Sequence, residues 1–192
     1  MSSLEAQAIV IGASAGALEA LSAILPVLPK GFGLPIMIVV HVPPDRDSVL
    51  SELFQAKCGL LVKEAEDKEP ILGGTVYFAP PGYHLLIEAD KCLALSSDEP
   101  VLFSRPSIDV LFESAADAYG SGLIGVVLTG ANQDGAKGLQ AIVEAGGTAL
   151  VQSPKGAFSS VMPEAAIKSV PTAIVMPPEQ IATCLQNIRV RA

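Results

Sequence analysis

The sequence predicts an α/β protein: a doubly wound, mostly parallel sheet with helices on both faces and a small antiparallel β excursion. Three observations predict it. Apolar runs rich in β-branched residues (Ile9-Val10-Ile11, Pro35–Val40, Gly122–Leu128) lack polar alternation, as strands covered on both faces require. The first and third of them end in glycine-bounded turns that lead into helix-forming segments. The composition is 50% hydrophobic with 5% aromatic residues and no tryptophan, so the core must be mostly Val, Ile, Leu and Ala, which suits helices packed on a parallel sheet. At 192 residues the chain fits one domain, taken as residues 1–192.

A strand is expected over Ala8–Ile11 and a helix over Gly16–Leu28, with Pro29–Gly33 returning the chain to a strand at Pro35–Val40. Ser48–Lys57 reads as a helix capped by Asp47 or Ser48. The charged, turn-rich stretch Lys63–Gly74 precedes three short β segments, Thr75–Ala79, His84–Glu88 and Cys92–Ser96. Turns at Pro80-Pro81-Gly82 and Ala89-Asp90-Lys91 separate them, which reads as an antiparallel excursion. Then βα alternation resumes. Ser107 caps a helix through Tyr119, a strand spans Gly122–Leu128, and a helix over Gly135–Ala145 ends at Gly146-Gly147. A strand at Thr148–Gln152, a short helix with Pro163 at its first position, a strand at Ala173–Met176 and a helix over Pro178–Arg189 complete the chain.

The chemistry concentrates at strand ends. Gly12-Ala13-Ser14-Ala15-Gly16 is a tight strand-to-helix turn with a serine at its apex. The helix after it aims free N–H groups at the same spot, which suits a nucleophile and a developing oxyanion. His41 ends the next apolar run and is a candidate general base. Asp134 lies in the loop after Gly122–Leu128 and is a candidate orienting carboxylate. Each has a plain structural explanation when taken alone: packing at a βα turn, a structural histidine, and a helix N-cap. Together they supply nucleophile, base and acid on one predicted edge. His84 is the alternative base, but its place in the antiparallel excursion favours His41.

The chain resembles the catalytic domain of the bacterial chemotaxis protein-glutamate methylesterases. The resemblance rests on IVIGASAGALEAL (9–21), IVVHVPP (38–44), FAPPGYHLLI (78–87), FSRPSIDVLFESAA (103–116) and GVVLTGANQDGAKGL (125–139), in the family's order. It implies hydrolysis of glutamate γ-methyl esters, and deamidation of selected glutamines, on cytoplasmic segments of methyl-accepting chemotaxis receptors. It implies Ser14 as nucleophile, His41 as base, Asp134 as the partner of His41, and no cofactor. It also implies a backbone N–H at Ala131 for the oxyanion, which the N–H at Ala15 would join. Read from the residues alone, Arg105, just ahead of a helix, either holds a receptor carboxylate or forms a structural salt bridge. Ala15 and Ala17 stand where the family has a hydroxyl residue and a second glycine, and Ala131-Asn132 where it has Met-Gly. The family's phosphorylatable receiver domain does not fit ahead of Ala8. The chain therefore reads as the catalytic domain alone, excised or free-standing, with any receiver domain separate or missing.

Charge and cysteines bound the alternatives. A formal net charge of −8 argues against nucleic-acid binding and against adsorption on anionic lipid. Cys58, Cys92 and Cys184 have no metal-ligand spacing and fit a reducing cytoplasm. No apolar stretch approaches the ~20 residues needed to cross a bilayer, and the N-terminus lacks signal-peptide character. The chain is expected to be cytoplasmic. Two other functions compete. A dinucleotide-binding protein would use the Gly12–Gly16 turn, but Ser14 occupies its middle glycine position and His41 stands where an acidic residue belongs. A catalytically silent receptor-binding scaffold is kept open by the alanines at 15 and 131.

Overall fold

The computed structural model of the protein describes residues 4–41 and 49–191. In chain order the elements are β1 (Glu5–Ala6), β2 (Ala8–Ala13), α1 (Ala17–Ile24), β3 (Ile36–Val40), α2 (Leu50–Gln55), β4 (Leu61–Glu64), β5 (Thr75–Phe78), β6 (His84–Ile87) and β7 (Leu93–Ser96). The second half comprises α3 (Ile108–Tyr119), β8 (Leu123–Val127), α4 (Ala136–Glu144), β9 (Thr148–Gln152), α5 (Val161–Ser169), β10 (Ile174–Met176), α6 (Pro178–Gln186) and β11 (Arg189–Val190).

Seven strands form one sheet in the order β10-β9-β8-β2-β3-β5-β4, with every neighbouring pair parallel. Every residue of β2, β3 and β8 is buried, as a sheet covered on both faces demands. The period-2 alternation of β2 divides the core. Ile9, Ile11 and Ala13 pack with α1, α6 and Phe54 of α2 on one face. Ala8 and Val10 pack on the other with α3, α4, α5 and the β6–β7 hairpin. From β2 the chain moves to β3 on one side, and β8 later joins on the other. This reversal is a topological switch point at the C-terminal ends of β2, β3 and β8.

Several local expectations are corrected. Thr75–Phe78 is not part of an antiparallel excursion; it lies inside the parallel sheet between β3 and β4, and all four of its residues are buried. Among the described strands, β6 and β7 are the antiparallel pair. The charged stretch before it begins with an edge strand, β4, whose half-exposed residues masked its strand character. α1 stops at Ile24 and tightens into a 3₁₀ turn over Leu25–Val27, because Pro26 has no N–H for the helical ladder. α6 ends at Gln186, and Arg189–Val190 instead pairs parallel with Glu5–Ala6. α5 begins at Val161, which puts Pro163 third; the first-turn N–H groups have no intrahelical partner, so proline is tolerated there. α2 begins at Leu50, and the expected caps Asp47 and Ser48 lie outside the described residues.

Candidate active site

Backbone pairing runs on past the strand ends and stitches the site together. The Leu128 N–H donates to Gly12 O at 2.9 Å, the Ser14 N–H to Thr129 O at 2.9 Å, and the His41 N–H to Ala13 O at 3.1 Å. Ser14 is thereby fixed between the end of β3 and the loop after β8. Gly16 then turns the chain into α1 with φ +83, a conformation that L side chains rarely adopt, and a Cβ there would run into Phe158.

Asp134 is fully buried, and its carboxylate collects four donors. The imidazole of His41, with its side chain 11% exposed, meets Oδ2 through Nε2 at 2.8 Å. The Ile108 N–H donates to Oδ2 at 2.7 Å, while the Asp109 N–H and the Ser107 hydroxyl donate to Oδ1 at 2.9 and 3.0 Å. Burial by itself pushes this acid upward. The bonds from His41 and from the N–H groups of Asp109 and Ile108 outweigh it and hold the carboxyl below the usual aspartate range.

Two sequence expectations change here. Asp134 is not the N-cap of the helix that follows it, since Gly135 takes that position; its carboxylate serves the start of α3 instead. Ser107 sits at the N-cap of α3 but makes no capping bond, because its hydroxyl is given to Asp134. Behind this pair, the buried Asp109 accepts from the N–H groups of Gly135 (3.0 Å) and Gly138 (2.7 Å). Burial pushes Asp109 up to about 6, against those two N–H bonds and with help from the charge of Asp134.

The Ser14 hydroxyl makes no hydrogen bond among the described residues. Nearby, the N–H groups of Ala15 and Ala131 likewise have no protein acceptor among them. The loop carrying Ala131 is held by the Thr129 N–H, which donates to Gln152 Oε1 at 2.8 Å, and by the Thr129 hydroxyl, which donates to Ala15 O at 2.8 Å. The free ring nitrogen of His41, Nδ1, faces the Asn132 amide nitrogen at 3.4 Å. Arg105 spends its guanidinium on the carbonyls of Ser97 and Asp98 at 2.8 and 3.0 Å. His84, 2% exposed, bridges two backbone groups: Nε2 meets Glu99 O at 3.0 Å, and Nδ1 accepts the Ser107 N–H at 3.1 Å. The sequence reading had no account of Ser107, Asp109, Gln152 or Asn132 as site residues. Their visible signals were polar residues beside Asp134 (Asn132), at the start of a helix (Ser107, Asp109) and at the end of a buried strand (Gln152).

Fold and site define a class: a doubly wound α/β protein that presents serine, histidine and a buried aspartate at the switch point of its sheet. The family model described as CheB methylesterase matches residues 9–185. The chain is 52% identical over 176 residues to a Leptospira interrogans protein, covering 92% of this chain and 91% of that one; its name, protein-glutamate methylesterase/protein-glutamine glutaminase, is provisional. A protein-glutamate methylesterase/protein-glutamine glutaminase of Archaeoglobus fulgidus is 36% identical over 91% of this chain, which spans only 51% of that relative. The crystal structure of the Thermotoga maritima CheB methylesterase catalytic domain superposes with a TM-score of 0.91 at 34% identity, over 94% of this chain and 97% of that one. The chain belongs to the CheB methylesterase family.

Proposed function

We propose that this protein is a serine esterase that hydrolyses glutamate γ-methyl esters on the cytoplasmic segments of methyl-accepting chemotaxis receptors and deamidates selected glutamines there. Residues 1–192 act as one catalytic domain. The observation that carries this reading is the 2.8 Å bond from His41 to a buried, four-fold hydrogen-bonded Asp134, one strand from Ser14. A histidine so anchored is an oriented base, and the nitrogen left for Ser14 is Nδ1.

The Ser14 Oγ attacks the ester carbonyl, and its proton passes to His41 Nδ1. The carbonyl π pair moves onto oxygen, where the N–H groups of Ala15 and Ala131 receive it; one such donor is worth ~3 kcal/mol in the transition state. The C–O bond to the methoxy group then breaks, and the Nδ1 proton leaves with methanol. Water, deprotonated by His41 Nδ1, attacks the acyl carbon; the acyl–Oγ bond breaks, the Nδ1 proton returns to Ser14 Oγ, and glutamate is released. With glutamine the leaving group is ammonia and the steps are the same. Asp134 stays ionised throughout and stabilises the imidazolium.

The test is methanol release from methylated receptor segments. Ser14→Ala, His41→Ala and Asp134→Ala, each shown to be folded, are expected to lower turnover on the order of 10⁴-fold or more. Wild-type turnover that survives Ser14→Ala would overturn the serine mechanism.

A further inference from the structure

We propose that Asn132 is a positioning residue that matches the tautomer Asp134 imposes on His41 and occupies the Nδ1 lone pair until the Ser14 hydroxyl takes that place; this rests on the reading of His41 as the base. The orientation of the Asn132 amide is not free. Its Oδ1 accepts the Asp134 N–H at 3.1 Å, which turns Nδ2 toward the ring. Nδ2 lies 3.4 Å from His41 Nδ1. An amide NH₂ only donates, so Nδ1 must present a lone pair. On the far side of the ring the Asp134 carboxylate only accepts, so Nε2 must carry the proton. Two residues of one loop, 132 and 134, therefore grip opposite edges of the imidazole and demand the same tautomer.

The lengths of the two contacts divide their roles. The Asp134 bond at 2.8 Å is short and charge-assisted and anchors the ring. The Asn132 contact at 3.4 Å is at the outer limit of a hydrogen bond, so a serine hydroxyl can displace it. Once Nδ1 has taken the serine proton it faces the Asn132 NH₂ donor to donor. That arrangement favours passing the proton onward to the leaving group. Asn132 is half-buried and linked to the loop that carries Ala131, so one side chain couples the base to the oxyanion loop.

The experiment uses ¹⁵N-histidine-labelled protein. The chain has only 2 histidines, and His84 is assigned by its loss in His84→Gln. In wild type, His41 should show an imine-like Nδ1 and a pyrrole-like Nε2. In Asn132→Gly, the Nδ1 resonance should move as its donor is lost while Nε2 stays. The near-isosteric Asn132→Asp keeps an acceptor for the Asp134 N–H but replaces the donor by a carboxylate, so Nδ1 should gain a proton at neutral pH. In methanol release, both variants should lower kcat on the order of tenfold with KM unchanged. An Nδ1 resonance and a kcat that are both unmoved in Asn132→Gly and Asn132→Asp would overturn the proposal. Absence of methanol release from the wild type itself would overturn the esterase reading and leave the tautomer result standing.

Discussion

Asp109 and Asp134 cap each other's helices. Asp134, just ahead of α4, accepts the first N–H groups of α3, and Asp109, in the first turn of α3, accepts N–H groups at the start of α4. Two helix N-termini thus face one another, each closed by the other's carboxylate. The exchange locks α3 to α4 and delivers Asp134, already desolvated and oriented, to His41. It also sets two acids side by side with unequal shares of donors. Asp134 has four donors and is held below the usual aspartate range, while Asp109 has two and is pushed above it by burial.

That asymmetry predicts a pH dependence of stability. Asp109 keeps its proton up to about 6 in the native state, against 3.8 as the ordinary value. Between those values the native state binds more protons than the unfolded chain, so stability falls as pH rises through the window. Relative to Asp109→Asn, the wild type should gain up to about 3 kcal/mol as pH is lowered from neutrality to near 4. Urea unfolding of both proteins across that range reads the difference directly. Asp134, held low, contributes in the opposite sense, and its share is lost as pH falls through its own depressed value.

Removing the carboxylate of Asp134 should cost stability as well as activity. Asp134→Ala strands the Ser107 hydroxyl and the N–H groups of Ile108 and Asp109 in a buried site. A loss of about 3 kcal/mol is expected. Ser14→Ala removes a hydroxyl with no partner among the described residues and should stay within about 0.5 kcal/mol of wild type. Denaturant midpoints of the two variants, compared at equal m-value, distinguish a residue that builds the site from one proposed only to react in it.

The two histidines should separate cleanly. His84 links Glu99 O to the Ser107 N–H inside the protein. His84→Ala is expected to lower stability by about 2 kcal/mol while reducing kcat of the folded protein by only a few-fold. His41→Ala should do the reverse. Parallel melting curves and methanol-release rates settle which histidine is the base.

Gln152 should matter to turnover although it lies on the neighbouring strand. Its side chain holds the buried Thr129 N–H, and Thr129 in turn anchors Ala15 O. Gln152→Ala leaves that N–H unpaired, at a cost of about 1–2 kcal/mol, and loosens the loop carrying Ala131. A fall in kcat with KM unchanged is expected, measured on the same methylated segments.

Much of the site was legible because parallel strands make their ends coincide. Ser14 and His41 each follow a buried apolar run, and Asp134 lies in the loop after a third. In a parallel sheet those three ends share one edge whatever the helices do. The antiparallel reading of Thr75–Phe78 failed for a related reason: a four-residue strand between turns looks the same in either direction, and only its burial on both faces assigns it to the main sheet. Asp109 and Gln152 were not legible as site residues. Their partners lie more than 20 residues away, on elements whose juxtaposition local sequence does not encode.

The amino-acid order by itself determined the alternation of buried strands and helices, and with it the common edge where serine, histidine and aspartate stand. Tertiary structure alone decided which donors surround the aspartate, which nitrogen of His41 it engages and which of the two buried acids is pushed upward. Periodicity is a local property of the chain, written by each residue's burial. Hydrogen-bond partnership and desolvation arise only when helices distant in sequence close over the same buried atoms.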